Sequence, residues 1–343
     1  MAKIISLLPF NWEFSFPIQH PYFLIAIIRL LEKKPMYDHL LARIYNQPHL
    51  IRPEKLEAIR QVITNRALGI TVNHAVVVEA RQGAGGDFAQ VMIASAPQQQ
   101  TTMQRSVAVL PVVGTLAKRM GMIDESSGGT STDRIGKEFD RLMADESVGA
   151  IVLDIDSPGG EVFGTPELSD KIFAARGKKP IVASANPEAA SGAFYIASAA
   201  DELVVTPSGW VGSVGVVAVH TDLSKLNEEL GVKVTYIHAA PYKVEGNMDE
   251  PLAPESLAYF QGEVDAIYEQ FLKDLARNRG TTAAVVRSGY GEGRMLRAKD
   301  AKVAGMVDRI ETLDETIARL AGGGRVKRSV KAARERLALE RYR

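Results

Sequence analysis

From about residue 105, short apolar runs alternate with stretches whose apolar positions recur every three or four residues, the pattern of strands alternating with helices. Val107 to Val113 and Ala150 to Ile155 read as strands. Between them, Ser131 or Thr132 can cap a helix whose apolar face is Ile135, Phe139, Leu142 and Met143. A second helix is predicted from Pro166 to Arg176, followed by a strand from Pro180 to Ala185 and a short turn at Asn186 and Pro187. A helix follows Ser191, with Phe194 and Tyr195 as core residues. Further strands are predicted at Leu203 to Val205, Val214 to Val219 and Val232 to Ile237, with a helix from Asp222 to Leu230. Asp201 and Glu202 would cap or solvate a strand start. A long helix from Pro254 to Arg279 carries Phe260, Val264, Ile267, Tyr268, Phe271 and Leu275 along its length. This order predicts an α/β domain whose strands are largely buried.

The first hundred residues have a different texture. A buried helix is predicted at residues 22–32, where the apolar run is ended by Arg29 and is far short of the ~20 apolar residues that span a bilayer. Helical spacing recurs at Pro53 to Arg60, and Gly83 to Gly86 and Pro97 to Thr102 read as loop and linker. Three regions are expected: an accessory or pro-region at 1–104, a main domain at 105–321, and a glycine linker with a basic tail at 322–343. The start of the chain lacks the pattern of a secretory signal, and neither a membrane anchor nor a nucleic-acid requirement is expected. The formal net charge is zero, so overall charge points to neither nucleic acid nor an anionic membrane. With no cysteine, thiol nucleophiles, thiolate metal sites and disulfides are excluded. Acidic pairs such as Asp249-Glu250 lack ligand spacing, so no metal and no cofactor are expected.

Candidate chemistry centres on Ser191, between small residues at the start of a predicted helix, where free N–H groups favour negative charge. Such a serine is a candidate nucleophile if a base lies within reach. Asp156-Ser157-Pro158-Gly159-Gly160 ends the 150–155 strand, and its glycines allow a tight turn with outward N–H groups. These could join the N–H of Gly192 in stabilising an oxyanion. Gly212-Ser213-Val214-Gly215 and Tyr242-Lys243-Val244-Glu245-Gly246-Asn247 are two further loop motifs. A lysine in a loop is ordinarily a solvated cation; to act as a base it must lose its proton, which burial promotes.

Taken together and in this order, the four motifs resemble the signal peptide peptidase A family of Ser-Lys peptidases over roughly residues 105–315. The resemblance implies a Clp protease/crotonase-like fold of repeated strand–helix units. It also implies Ser191 as nucleophile, Lys243 as general base, Ser213 as the residue orienting that lysine, and Gly159 or Gly160 as an oxyanion donor. Leu110-Pro111-Val112-Val113-Gly114-Thr115-Leu116 and Lys243 to Asn247 are most similar to the phage prohead maturation branch. That branch implies a serine endopeptidase acting on phage capsid, portal or scaffold proteins in the host cytoplasm, within the assembling procapsid, as a homo-oligomer. Some phage members carry a long C-terminal scaffold extension, whereas here a short basic tail follows the glycines.

Four other readings compete. A Ser191–His220 pair with Asp154 or Asp222 would follow triad logic. A crotonase-like acyl-CoA enzyme could share the fold and the glycines, but no added acid–base carboxylate motif supports it. A host-type signal-peptide peptidase and an inactive protease-fold scaffold are the remaining two; the intact set of Ser191, Ser213 and Lys243 argues against the last.

Overall fold

The computed structural model describes residues 47–67, 106–120, 129–324 and 326. The predicted helix at 22–32, the loop at 83–86, the linker at 97–102 and the basic tail fall outside these residues. Strand β1 (His49–Ile51) leads into α1 (Pro53–Ala67), which opens on a proline with Glu54 in its first turn, both suited to a helix start. Strands β2 (Ser106–Val113), β3 (Thr115–Ala117) and β4 (Gly129–Ser131) precede α2 (Thr132–Ala144). Ser131 caps α2 by accepting the N–H of Arg134, and Ile135, Phe139 and Leu142 are buried as their spacing predicts. The centre is built from β5 (Val148–Ser157), β6 (Gly159–Glu161), α3 (Thr165–Ala175), β7 (Ile181–Ala190), α4 (Gly192–Ser198), β8 (Glu202–Val205) and β9 (Trp210–Gly212). Then come α5 (Ser224–Glu229), α6 (Pro254–Arg279), α7 (Ala283–Gly289), β10 (Met295–Arg297), α8 (Ala298–Val303), β11 (Arg309–Ile310) and α9 (Leu313–Ala321).

In the main sheet β2, β5, β7, β8 and β11 run parallel in that spatial order. The second half of β7 takes β9 as its neighbour instead of β8, and β10 lies antiparallel outside β9. Alternate residues of β5 serve opposite faces. Ile151, Leu153 and Ile155 join the core against α2, α3 and α4; Ala150 and Val152 meet Val107, Val109, Val182, Val204 and Leu320 of α9. Burial on both faces explains why these strands read as continuous apolar runs rather than as alternating ones. The α/β fold of repeated strand–helix units is thus the one expected. A smaller sheet, ordered β1-β6-β3-β4, stands beside it; β1 is antiparallel to β6 and the other pairs are parallel.

Several elements differ from expectation. The strand at 180–185 continues to Ala190, because the chain bulges at residues 186–188 and pairing resumes at Ala189 opposite Ser157. The helix at 222–230 is shorter, and the strands expected at 214–219 and 232–237 are absent. Only Val217 makes a bridge, to His49. Residues 231–243 are exposed throughout, so the alternating Val232, Val234 and Tyr236 have no backbone edge to pair with among the described residues, and a strand without a partner is not stable in water. In α6, Phe271 and Leu275 are buried but Phe260 and Val264 are only partly covered. Glu202 is not solvated: it is fully buried and paired with Arg309 and Arg319, while Asp201 accepts the N–H of Ile181 at 3.1 Å. No helix among the described residues is long and apolar enough to cross a membrane.

Candidate active site

Strand β7 delivers Ser191 to the head of α4, and the turn between them is tight. Ser191 has φ 51° and ψ −114°, a region that residues with a side chain seldom enter. Its N–H donates to the carbonyl of Gly212 at 2.7 Å, and its carbonyl accepts the N–H of Tyr195 at 2.9 Å. The strand end and the helix start therefore over-determine a strained residue, the geometry of a nucleophile held on a strand-to-helix elbow.

Helix α4 is buried along its whole length, and its far end is secured by charge. Arg176 donates to the carbonyls of Ala199 at 2.7 Å and Ser198 at 2.8 Å, and to that of Asn278 at 3.0 Å. A cation at the C-terminal carbonyls complements the helix dipole. Burial lowers the pKa of this guanidinium to about 9, opposed by the nearby charge of Asp201. Tyr195 stacks on Phe271 at 4.5 Å and donates to Asp274; burial first, then that carboxylate, pushes its phenol upward.

The glycine turn lies directly opposite. A Cβ on Gly159, whose φ is +93°, would stand 2.9 Å from the N of Gly192, so the turn and the head of α4 are in close approach. The N–H of Gly159 donates to Ser157 Oγ at 3.2 Å, and that hydroxyl donates to the carbonyl of Gly114 at 2.6 Å. A Cβ on Gly160 would fall 1.8 Å from the carbonyl oxygen of Leu116. Gly114 and Leu116 are thus the backbone against which the turn is moulded.

The Gly212–Gly215 motif reaches the same place. Ala190 pairs with Gly212 across β7 and β9, which sets Ser191 and Ser213 on adjoining chain segments. Ser213 is also buried with positive φ (54°), and its N–H donates to the carbonyl of Arg294 at 2.9 Å. The Ser191 hydroxyl makes a long hydrogen bond, 3.5 Å, to the carbonyl of Gly215. Ser191, Gly192, Gly159, Gly160 and Ser213 are therefore gathered together. Lys243 sits on an exposed turn, and its side chain has no hydrogen bond or ion pair among the described residues.

The competing triad is not assembled. His220 Nε2 meets the carbonyl of Asn247 at 2.9 Å, Asp222 accepts the N–H of Ser224 at 2.8 Å, and Asp154 accepts from Asn186 at 3.2 Å. Three contributors escaped the sequence reading: Ser157, Arg176 and Leu50. Ser157 could have been flagged as a hydroxyl able to bond the backbone two residues on. Nothing near Arg176 in the chain signals its partners, which come from α4 and α6.

A buried serine on a strained strand-to-helix turn of an α/β sheet, facing a glycine turn, is an arrangement suited to a nucleophile. Residues 174–327 match the model of Peptidase family S49. It is 30% identical to the head-tail preconnector protein GP5 of Enterobacteria phage P21, over 83% of this chain and 57% of that protein. It is 28% identical to the capsid assembly protease C of Escherichia phage lambda, over 84% of this chain and 69% of the relative. Protease 4 of Salmonella typhi is 28% identical over 60% of this chain and 33% of its own length. Among solved structures, a ClpP1 variant from Listeria monocytogenes aligns with a TM-score of 0.39 at 14% identity, covering 61% of this chain and 94% of that one.

Proposed function

We propose that the protein is a serine endopeptidase that processes capsid, portal or scaffold proteins of an assembling phage head, inside the host cell. The observation that carries this reading is Ser191, held in a strained conformation at the head of a buried helix and faced by a glycine turn. Two of the relatives are phage proteins, one named a capsid assembly protease, and both align over more of this chain than Protease 4 does. This favours head maturation over the signal-peptide alternative.

In the proposed reaction Ser191 Oγ attacks the scissile carbonyl while the amine of Lys243 takes its proton. Lys243 then returns the proton to the leaving amine, and a water molecule repeats the sequence on the acyl-enzyme. The N–H groups of Gly192 and of the 159–160 turn hold the oxyanion. Ser213 orients the lysine. The main domain is taken as residues 105–321, with the accessory region before it and the basic tail after it.

A lysine base works only when desolvated: bringing an ordinary ammonium from ~10.4 to about 7 takes roughly 4–5 kcal/mol of differential stabilisation. In the single chain Lys243 is exposed, and so are Leu226, Leu230, Val232, Val234, Tyr236 and Ile237 on the segment leading to it. An apolar strip of this kind marks a surface that another protein covers. Homo-oligomer formation through the strip would bury the lysine and give residues 232–237 a strand partner. The test is co-expression with the neighbouring head proteins and N-terminal mapping of their products. New termini should appear with the wild type and be absent with Ser191→Ala; identical patterns would remove the proposal.

A further inference from the structure

The glycine turn that faces Ser191 is paired with an extended segment of the same chain. Strand β1 runs antiparallel to β6, with Leu50 opposite Gly160 and Ile51 opposite Gly159. The N–H of Arg52 donates to the carbonyl of Pro158 at 3.0 Å. Because hydrogen-bonded pairs alternate along an antiparallel ladder, the Arg52–Pro158 bond makes Leu50 and Gly160 the next bonded pair, so Leu50 exchanges its bonds with the glycine turn. The other edge of the strand is occupied as well. His49 N–H donates to the Val217 carbonyl at 2.8 Å, and Val217 N–H donates to the His49 carbonyl at 3.1 Å. Val217 lies two residues beyond Gly215, whose carbonyl receives the Ser191 hydroxyl.

Three further observations place this strand at the reacting centre. A Cβ on Gly159 would lie 2.1 Å from the Leu50 carbonyl oxygen, and one on Gly192 would lie 3.1 Å from it. The Leu50 oxygen thus sits among the glycines assigned to the oxyanion. Leu50 and Ser191 are both fully buried. Arg52 fixes the strand's end through both oxygens of Glu188, at 3.0 and 3.1 Å, before the chain turns away into α1 at Pro53. An extended chain hydrogen-bonded on both edges, with a side chain in a closed apolar site, is the way strand addition binds a peptide.

We infer that residues 48–52 are an internal occupant of the peptide-binding cleft, a latch in cis that shields Ser191 and shows how a substrate is taken. The inference rests on the reading of Ser191 and the glycines as an acyl-transfer site. The substrate class it names is an extended segment laid antiparallel to residues 159–161, with a leucine-sized apolar side chain beside Gly192. Residues upstream of that position would enter an adjoining cleft of about 450 Å³ lined by Pro48, Val219, Leu252, Leu257, Phe260 and Val264. Access to Ser191 then requires the latch to leave, and a substrate strand competes with it for the same hydrogen bonds.

The test uses the full chain carrying Leu50→Lys with Arg52→Glu, which places a charge in the apolar site and repels Glu188. Two readouts are taken: the rate at which a fluorophosphonate labels Ser191, with Ser191→Ala as the silent control, and the binding of a fluorescein-labelled peptide of residues 46–54 by anisotropy. Labelling should rise at least tenfold over the wild type, and the peptide should bind the double variant but not the wild type. Equal labelling in both forms, with no peptide bound by a variant that still melts cooperatively, overturns the latch while leaving the nucleophile standing. Peptide binding to the variant without labelling of any form upholds the latch and refutes the nucleophile. If the double variant does not fold, Arg52→Ala carries the same test, with about threefold faster labelling expected and an unchanged rate counting against the latch.

Discussion

Replacing Ser191 by glycine and, separately, by alanine separates backbone strain from chemistry at the elbow. Both variants lose the hydroxyl and should be inactive, but they differ in what the backbone feels. At φ 51° and ψ −114° the Cβ of alanine meets the same steric conflict as that of serine, whereas glycine has none. A residue held in such a region costs about 1–3 kcal/mol. Glycine returns roughly 0.5–1 kcal/mol of that through the greater freedom of its unfolded chain. The Ser191 hydroxyl bond to Gly215, at 3.5 Å, is too long to weigh much in the comparison, and both variants lose it. The net expectation is that Ser191→Gly is more stable than Ser191→Ala by about 1 kcal/mol, which for a domain of this size is a difference of roughly 2–4 °C in melting temperature. Urea denaturation of the two purified variants, with calorimetry as a second probe, measures it. If the alanine variant is equally or more stable, the elbow stores no strain and the account of how β7 and α4 hold the nucleophile is wrong.

Other predictions concern the parts around it. Gly160→Ala would place a methyl 1.8 Å from a backbone oxygen that cannot step aside, and should cost about 3 kcal/mol in a urea melt along with loss of Ser191 labelling. Burial disfavours the Asp308 carboxylate, but Arg279 and the N–H of Leu203 outweigh it and hold its pKa below the ordinary value. Its stabilisation is therefore present above the ordinary carboxylate value of ~3.9 and is lost as pH falls through the lower folded-state value. Asp308→Asn should cost about 3 kcal/mol at pH 7, and the gap from the wild type should close below pH 4; a gap independent of pH would show that the pair is not the cause.

What could be read from the chain alone was whatever short-range pattern decides. Ile135, Phe139 and Leu142 fall on one helical face with a serine cap before them, and α2 forms where that spacing puts it. The β5 strand is apolar because both faces are covered, and it too was legible. Residues 232–237 show the limit: alternation says that a segment suits a sheet, not that a partner edge exists, and among the described residues none does. The same limit hid the cleft's contents. His49-Leu50-Ile51 is a short triplet with two apolar residues before a helix start, and nothing within it reveals that Gly160 and Val217, each more than a hundred residues away, will bracket it. The proximity of Ser191 to the glycine turn was legible because the conformational demands of these residues are local. Lys243 lies on an exposed turn, and no local pattern in the chain says what would cover it.

The central claim is that Ser191 is activated by Lys243 and by no histidine. The direct measurement is the acylation rate of Ser191 by a fluorophosphonate in Lys243→Ala and in His220→Ala, each compared with the wild type at the same protein concentration. Loss of a general base predicts a fall of about 10²–10⁴-fold for Lys243→Ala and a rate within about threefold of wild type for His220→Ala. A Lys243→Ala protein that acylates at the wild-type rate, or a His220→Ala protein that does not acylate, would contradict it.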